Sequence, residues 1–192
     1  MAVPLSVTTK NLSGSFATNK QFSGNSDELL RLQGLSWAKR SIAKMLNIIL
    51  SMKHRTDDDG VEHVDMEQKV AGGITAASDH FILDWQERTV TDSSFGSLTV
   101  KTRRVSPELI ENEFLKAGWS EDTVVDGVIH NIVSNDPKNS GDGYTWESEQ
   151  VWGFQVVDGE RRYVRLVSLT SSGKTDGPFH FRGVYDYSEN KH

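Results

Sequence analysis

The segment Ser26–Met45, SDELLRLQGLSWAKRSIAKM, is the only stretch in the first hundred residues with a clear helical period. Alternating, strand-like sequence lies on both sides of it. Gly34 breaks the period, and Ser36 follows as an N-cap, so the segment predicts two short helices in a helix–turn–helix. Ser26 can cap the first, with Asp27 and Glu28 in its first turn, where the positive end of the helix dipole favours anions. Leu29, Leu30 and Leu32 give that helix an apolar side. Trp37, Arg40, Ile42 and Met45 pattern the second helix, and Lys39, Arg40 and Lys44 keep its outer face wet. Two short helices between the first and second strands of an otherwise all-β chain predict a lid, residues 26–46, over the mouth of a barrel.

The rest of the chain fits that frame. Residues 1–10 read as a loose arm, and Asn11–Lys20 carries Gly14-Ser15-Phe16. Met45–His54 is rich in apolar and β-branched residues and predicts a strand. Asp57-Asp58-Asp59-Gly60 is a turn signal. Val61–Val70 alternates, with Val64, Met66, Gln68 and Val70 on one face and His63, Asp65, Glu67 and Lys69 on the other. After Gly72-Gly73 a strand is expected around Phe81–Trp85, and Asp92-Ser93-Ser94 turns the chain. Phe95–Val105 alternates again, placing Leu98, Val100, Thr102 and Arg104 together. Ser106–Gly118 opens with a cap and with Pro107 at the first helical position, so a third short helix outside the sheet is expected over 106–118. Gly127–Ser134 returns to strand, and Asn135–Gly143 is a loop by composition. Tyr144–Val157 aligns Tyr144, Trp146, Ser148, Gln150, Trp152 and Phe154 on one face. Asp158-Gly159 closes a hairpin, and Arg161–Thr170 and Phe179–Tyr187 supply the last strands. No internal repeat, low-complexity tract or linker interrupts the chain, so one domain spanning 1–192 is expected. The fold class is all-β: a closed antiparallel up-and-down β-barrel with a helix–turn–helix lid and a short extra helix.

Composition narrows the function. The 192 residues carry a net charge of −6, which argues against nucleic acid as a partner, because phosphate binding needs a basic face. With no cysteine there is neither a disulfide framework nor a thiolate metal site. The start lacks an apolar signal region, and no apolar run approaches the ~20 residues of a membrane span, so a cytoplasmic protein is expected. Neither a nucleophile elbow nor a phosphate loop nor a dinucleotide fingerprint is present. His54 and His63 flank the Asp57–Asp59 turn and with Asp58 offer a metal site, but a solvated hairpin tip explains them more simply. No metal or other cofactor is expected.

The order Gly14-x-Phe16, helix pair with Gly34 and Ala38-x-Arg40-x-x-Ala43, then a strand meander, resembles the calycin superfamily. Within it the chain looks more like the fatty-acid-binding proteins than the secreted lipocalins. Leu83-Asp84-x-x-Glu87 and Arg182-x-x-Tyr185 add to the likeness, which spans most of the chain except 106–126 and 135–143. One departure matters. The family's carboxylate-binding Arg and Tyr stand two apart, whereas Arg182 and Tyr185 are three apart and fall on opposite faces of a regular strand. The chain is more similar still to small lipocalin-like pericyclases of fungal natural-product pathways, the hetero-Diels–Alderases that join a tropolone-type quinone methide to a humulene-type sesquiterpene. That resemblance implies a cavity holding two small hydrophobic reactants, terpenoid and aromatic, and a homodimer is compatible with it. A non-catalytic lipid or terpenoid carrier is the alternative, and a filled barrel working through its surface is a third reading.

A cycloaddition needs no covalent nucleophile. It gains from holding two partners in a near-attack geometry and from hydrogen bonds that polarise one of them. On that reading Arg104, His130 (or its neighbour Asn131) and Gln150 are the candidate donors. Met52, Met66, Gln68, Leu98, Tyr144, Trp146, Trp152, Tyr163 and Tyr185 are the candidate substrate wall. Each has a plainer alternative. The aromatic stripe can be ordinary core, Arg104 a residue at the barrel mouth, His130 a hydrogen-bonded structural residue, and Tyr185 a barrel closure. Tyr163 and Arg165 share a face with Arg162 opposite, which leaves the phase of that strand open.

Overall fold

The structure, a computed structural model, describes residues 1–70, 73–136, 144–174 and 176–188. Gly72 and all but the first two residues of the loop expected over Asn135–Gly143 lie outside the described residues. The elements run β1 Gly14–Thr18, α1 Ser26–Leu32, α2 Trp37–Met45, β2 Ile49–Thr56, β3 Glu62–Lys69, β4 Thr75–Ile82, β5 Arg88–Asp92, β6 Gly96–Val105, α3 Glu113–Lys116, α4 Glu121–Asp126, β7 Val128–Asn135, β8 Trp146–Val157, β9 Glu160–Ser171 and β10 Phe179–Ser188. The strands form one ten-stranded antiparallel sheet in the order β4-β3-β2-β1-β10-β9-β8-β7-β6-β5. Apart from the β1–β10 pair, neighbours in the sheet are neighbours in sequence, which is the up-and-down, all-β arrangement expected.

The sheet curls until β4 and β5 face each other across a seam that no ladder joins. One end of the seam is closed by an isolated bridge between Asp84 and Arg103 and by the Trp85 N–H donating to Thr102 O at 2.8 Å. Trp85 takes a left-handed φ of 61° to do this. Its ring compensates by lying under the Arg103 guanidinium at 4.1 Å and beside the His130 ring at 5.1 Å.

Some sequence expectations need revision. The strand expected around Phe81–Trp85 lies earlier, as β4 Thr75–Ile82, because Asp84 and Trp85 leave its ladder to close the seam. Residues 1–10 are not a loose arm. Val3 and Val7 are buried with Leu12 and Phe16, and the Val3 N–H donates to Arg161 O, so the arm plugs the end of the barrel opposite the lid. The excursion after β6 is also longer than 106–118. A 3₁₀ turn at Pro107–Leu109 leads to α3, and α4 follows. Its purpose is visible in the ladder. Pairing of β8 with β7 stops at Trp152, so the next residues of β8 have a bare edge. The Ser120 N–H donates to Phe154 O, and Thr123 Oγ1 accepts from Phe154 N–H. Leu115 and Trp119 meanwhile cover the outward side chains Val151, Val164 and Leu166.

That cover requires a missing side chain. A Cβ on Gly153 would stand 2.6 Å from Thr123 Cγ2 and 3.0 Å from the Trp119 ring. Both neighbours are buried, so Gly153→Ala forces the excursion off the sheet. We expect it to cost about 2 kcal/mol, the range for overpacking, and to lower Tm by about 4–8 °C. An unchanged melting curve would show that the α3–α4 cover yields freely.

Candidate functional site

The barrel interior is divided. Towards the N-terminal plug it is solid: Phe16, Met52, Val64, Met66, Phe81, Ile129, Trp152, Phe154 and Tyr163 pack as one cluster. Towards the lid it opens into a cavity of about 520 Å³, within the size range of small-molecule pockets.

The lid is seated unequally. Asn25, not Ser26, caps α1, its side chain accepting from the Glu28 N–H. Leu32 of α1 is fully buried against Leu98, Trp146 and Leu169, and Ser171 Oγ donates to Leu32 O at 2.6 Å. None of the residues of α2 is buried. It is tied down by Arg40 and Lys44 to Asp27 at 3.2 and 3.4 Å, and by Arg40 Nη1 donating to Leu35 O. Leu29 and Leu30 of α1, Ala43 of α2 and the following Leu46 face the cavity as an apolar roof.

Polar side chains line the cavity at both ends: Lys20, Asn25, Asp27, Gln33 and Lys44 at the lid, and a hydrogen-bonded set on the floor. Arg165 of β9 stands 4.3 Å above the Trp152 ring. Its Nη2 donates to Gln150 Oε1 at 2.9 Å, and its Nη1 reaches Met66 Sδ across the barrel at 3.6 Å. Gln150 Nε2 donates in turn to Ser148 Oγ at 3.1 Å. Among the described residues no carboxylate lies within ion-pair distance of Arg165. A guanidinium stacked on an aromatic ring and paired only with neutral groups is set to receive an oxygen from a ligand.

Asp79 of β4 stands one strand over from inward-facing Met66 and next to Gln68, which lines the cavity, but is not itself among the lining residues. Gln68 Nε2 approaches its Oδ2 at 3.5 Å. Burial pushes the Asp79 carboxyl above the usual carboxylate range, and the field of Arg165 offsets this only in part. The neighbouring charge of Asp92 on β5 adds to the upward push.

The residues singled out from sequence fall into four places. Gln68, Gln150 and Tyr185 line the cavity together. Trp152 and Met66 lie directly under Arg165, with Met52 and Tyr163 deeper in the packed half. Burial raises the Tyr163 phenol, whose buried hydroxyl has no hydrogen-bond partner. Trp146 and Leu98 form the seat of α1, and Tyr144 lies before β8, its ring against Gly173. Arg104 and His130 sit elsewhere. Arg104 does point inward, but at the plugged end, where it pairs with Glu62 and donates to Thr9 O at 2.7 Å. His130 is on the outer face, because its neighbours Ile129 and Asn131 take the inward positions. Its Nε2 meets Glu149 Oε1 at 2.9 Å, and its Nδ1 accepts from Arg103 Nε. Inward-facing Asn131 donates to Thr102 Oγ1, and its buried Oδ1 has no partner. Arg182 and Tyr185 diverge as their spacing requires: Arg182 donates to Gln155 Oε1, whereas Tyr185 faces the cavity.

Sequence reasoning did not single out Arg165 or Asp79. The signal for Arg165 was its two-residue spacing from Tyr163, obscured by Arg161 and Arg162. For Asp79 it was its two-residue spacing from Phe81, at the start of the strand expected around Phe81–Trp85.

No family model matches the chain. In sequence it is 25% identical over 194 residues to the probable pericyclase scpY of Mollisia scopiformis, covering 100% of this chain and 97% of that one. It is 24% identical to the pericyclase pydY of an Acremonium species, covering 97% of each. In structure it is similar to a Schistosoma mansoni fatty acid binding protein in complex with arachidonic acid. That match has a TM-score of 0.51 at 16% identity, over 95% of this chain and 99% of the other. The fold is therefore the calycin-like barrel of the fatty-acid-binding proteins, and the sequence likeness to pericyclases runs the length of the chain. No helix among the described residues is long and apolar enough to cross a membrane.

Proposed function

We propose that the protein is a pericyclase, which takes small hydrophobic reactants under the α1–α2 lid and accelerates their cycloaddition. The observation that carries this reading is Arg165, held by Gln150 with no carboxylate at ion-pair distance among the described residues, on the floor of a cavity of mixed polar and apolar lining, in a chain similar throughout to two proteins named pericyclases. Holding two reacting π-systems in contact supplies the larger part of the effect, because the cavity removes translational and rotational freedom that free reactants would lose. Arg165 supplies the rest. A guanidinium fixed over Trp152 and against Gln150 donates to a carbonyl oxygen of one partner without reorganising. That oxygen gains negative charge as the new bonds form, so the interaction strengthens in the transition state.

The finer assignment is an intermolecular hetero-Diels–Alder reaction between an o-quinone methide of tropolone type and a humulene-type sesquiterpene. The quinone methide arises when a hydroxymethyl precursor expels water. Asp79 keeps its proton to higher pH than an ordinary carboxylate, and gives it to the departing hydroxyl. The ring hydroxyl of the precursor then returns a proton to Asp79, and the lid excludes solvent from the reactive product. Tyr185 and Gln68 add to the polar lining, with Asn25, Asp27, Gln33 and Lys44 at the lid.

Purified protein, incubated with a hydroxymethyl-tropolone precursor and humulene, should give a faster and stereochemically enriched adduct than buffer alone. A racemic product at the uncatalysed rate, with binding of either reactant retained, would favour the second reading. That reading is a carrier, supported by the likeness to a fatty-acid-binding barrel. Absence of binding would exclude both.

A further inference from the structure

On the outer face of the β3–β4 hairpin two histidine rings meet head to head. His63 Nδ1 and His80 Nε2 are 3.3 Å apart, and the ring centroids are 5.3 Å apart. Each ring's far nitrogen is already engaged. His63 Nε2 meets Asp57 Oδ2 at 2.9 Å, and His80 Nδ1 meets Asp65 Oδ1. An ionised carboxylate only accepts, so each far nitrogen must carry its ring's N–H. The hydrogen bond from His63 holds the Asp57 carboxyl below the usual carboxylate range, in keeping with an ionised acceptor. A neutral imidazole has one N–H. With both protons turned outward, the two inner nitrogens face each other as lone pairs, an arrangement that calls for a cation between them.

From this geometry we propose that His63 and His80 bind a single borderline divalent transition-metal ion of the zinc type on the outer face of the barrel. Two imidazole nitrogens on one tetrahedral zinc, at about 2.0–2.1 Å each, stand about 3.3–3.4 Å apart. Their ring centroids then lie about 5.2 Å apart. Both spacings match those found. The outward hydrogen bonds to Asp57 and Asp65 are the carboxylate–histidine arrangement that fixes tautomer and ring orientation around a bound metal. Among the described residues no group of three or more His, Asp or Glu side chains gathers as a metal's ligands would. The chain thus supplies two ligands and solvent the others, at a site where the His80 side chain is 44% exposed. The carboxylates of Asp57 and Asp65 favour a cation, and Arg55, 3.9 Å from Asp65, and Lys53, which pairs opposite Asp65 in the ladder, oppose part of that attraction. The consequence is mechanical. β4 is an edge strand of the sheet, and an ion bridging His63 to His80 pins it to β3 at the rim of the seam.

The test is a zinc titration of the full chain at pH 7.5, followed by calorimetry and by the ring resonances of the histidines. One equivalent should bind saturably, shift His63 and His80 but not His54, His130 or His180, and raise Tm. His63→Gln or His80→Gln should each weaken binding at least tenfold, and Asp57→Asn with Asp65→Asn about tenfold. The alternative occupant of the gap is a shared proton. Uptake of a proton by the pair with no saturable zinc binding, or zinc binding unchanged in both glutamine variants, overturns the proposal.

Discussion

Arg165→Met is expected to lower the rate of cycloaddition by about 100- to 1,000-fold, the loss seen when a preorganised donor to a developing oxyanion is removed. Melting should change little by comparison. The methionine keeps an unbranched side chain over Trp152, and the partners left behind, Gln150 Oε1 and Met66 Sδ, are neutral. Gln150 Oε1 also keeps its 3.4 Å approach from Trp152 Nε1. Arg165→Lys should recover only part of the rate, because an ammonium lacks the planar fork that can stack on Trp152 and donate to Gln150 and a ligand together. A second readout is independent of turnover. Arg165 is the charge that offsets the effect of burial on Asp79. Without it the Asp79 carboxyl should titrate at still higher pH, measurable from its carboxyl carbon resonance. A full rate in Arg165→Met would remove the donor from the proposed mechanism, whatever became of Asp79.

The split between what was and was not legible in the sequence follows burial. Strands with one wet face announce themselves. Val64, Met66 and Gln68 alternate with charged residues, and the structure turns them inward. The Trp146–Gln150 part of β8 behaves the same way, whereas from Val151 to Gln155 both of its faces are covered. β5, Arg88–Asp92, was missed because it has no buried side: it is an edge strand facing the seam. β9 failed in the opposite sense. The α3–α4 excursion covers its outer side, so Val164 and Leu166 are as buried as Tyr163 and Val167, and alternation disappears. A strand buried on both faces does not betray its phase, and Arg165 was hidden with it. Arg104 shows a different limit. Alternation placed it on the inward face correctly, but a period of two says nothing about height along the barrel axis. His130 shows the limit of a single step, since a shift of one residue exchanges it with Asn131.

Arg104→Met should destabilise the fold by about 3 kcal/mol, the low end of the penalty for breaking a buried ion pair, because both side chains are partly exposed. Tm should fall by about 6–12 °C in a chain of this size. Arg104 joins three segments distant in sequence. It pairs with Glu62 of β3, donates to Thr9 O of the N-terminal plug, and donates to Asp126 O and Gly127 O where α4 turns into β7. Its loss leaves Glu62 partly buried, with His54 Nε2 as its remaining hydrogen-bond partner at 2.9 Å. The dependence on pH has a definite sign. Burial alone would raise the Glu62 pKa, but hydrogen bonds from Arg104 and His54 outweigh it and bring the value from 4.5 to about 2. A carboxylate depressed in the fold contributes stability that is fully present above its unfolded pKa and is lost as pH falls towards its folded one. The deficit of the variant should therefore be largest above about pH 4.5 and shrink as the pH approaches 2. Folded Arg104→Met should still react at the parent rate, because the cavity chemistry stands at the lid end, on the far side of the Trp152 layer. If stability held and the rate fell instead, the reacting atoms would have to be sought at the plugged end, and the assignment of Arg165 would lose its basis.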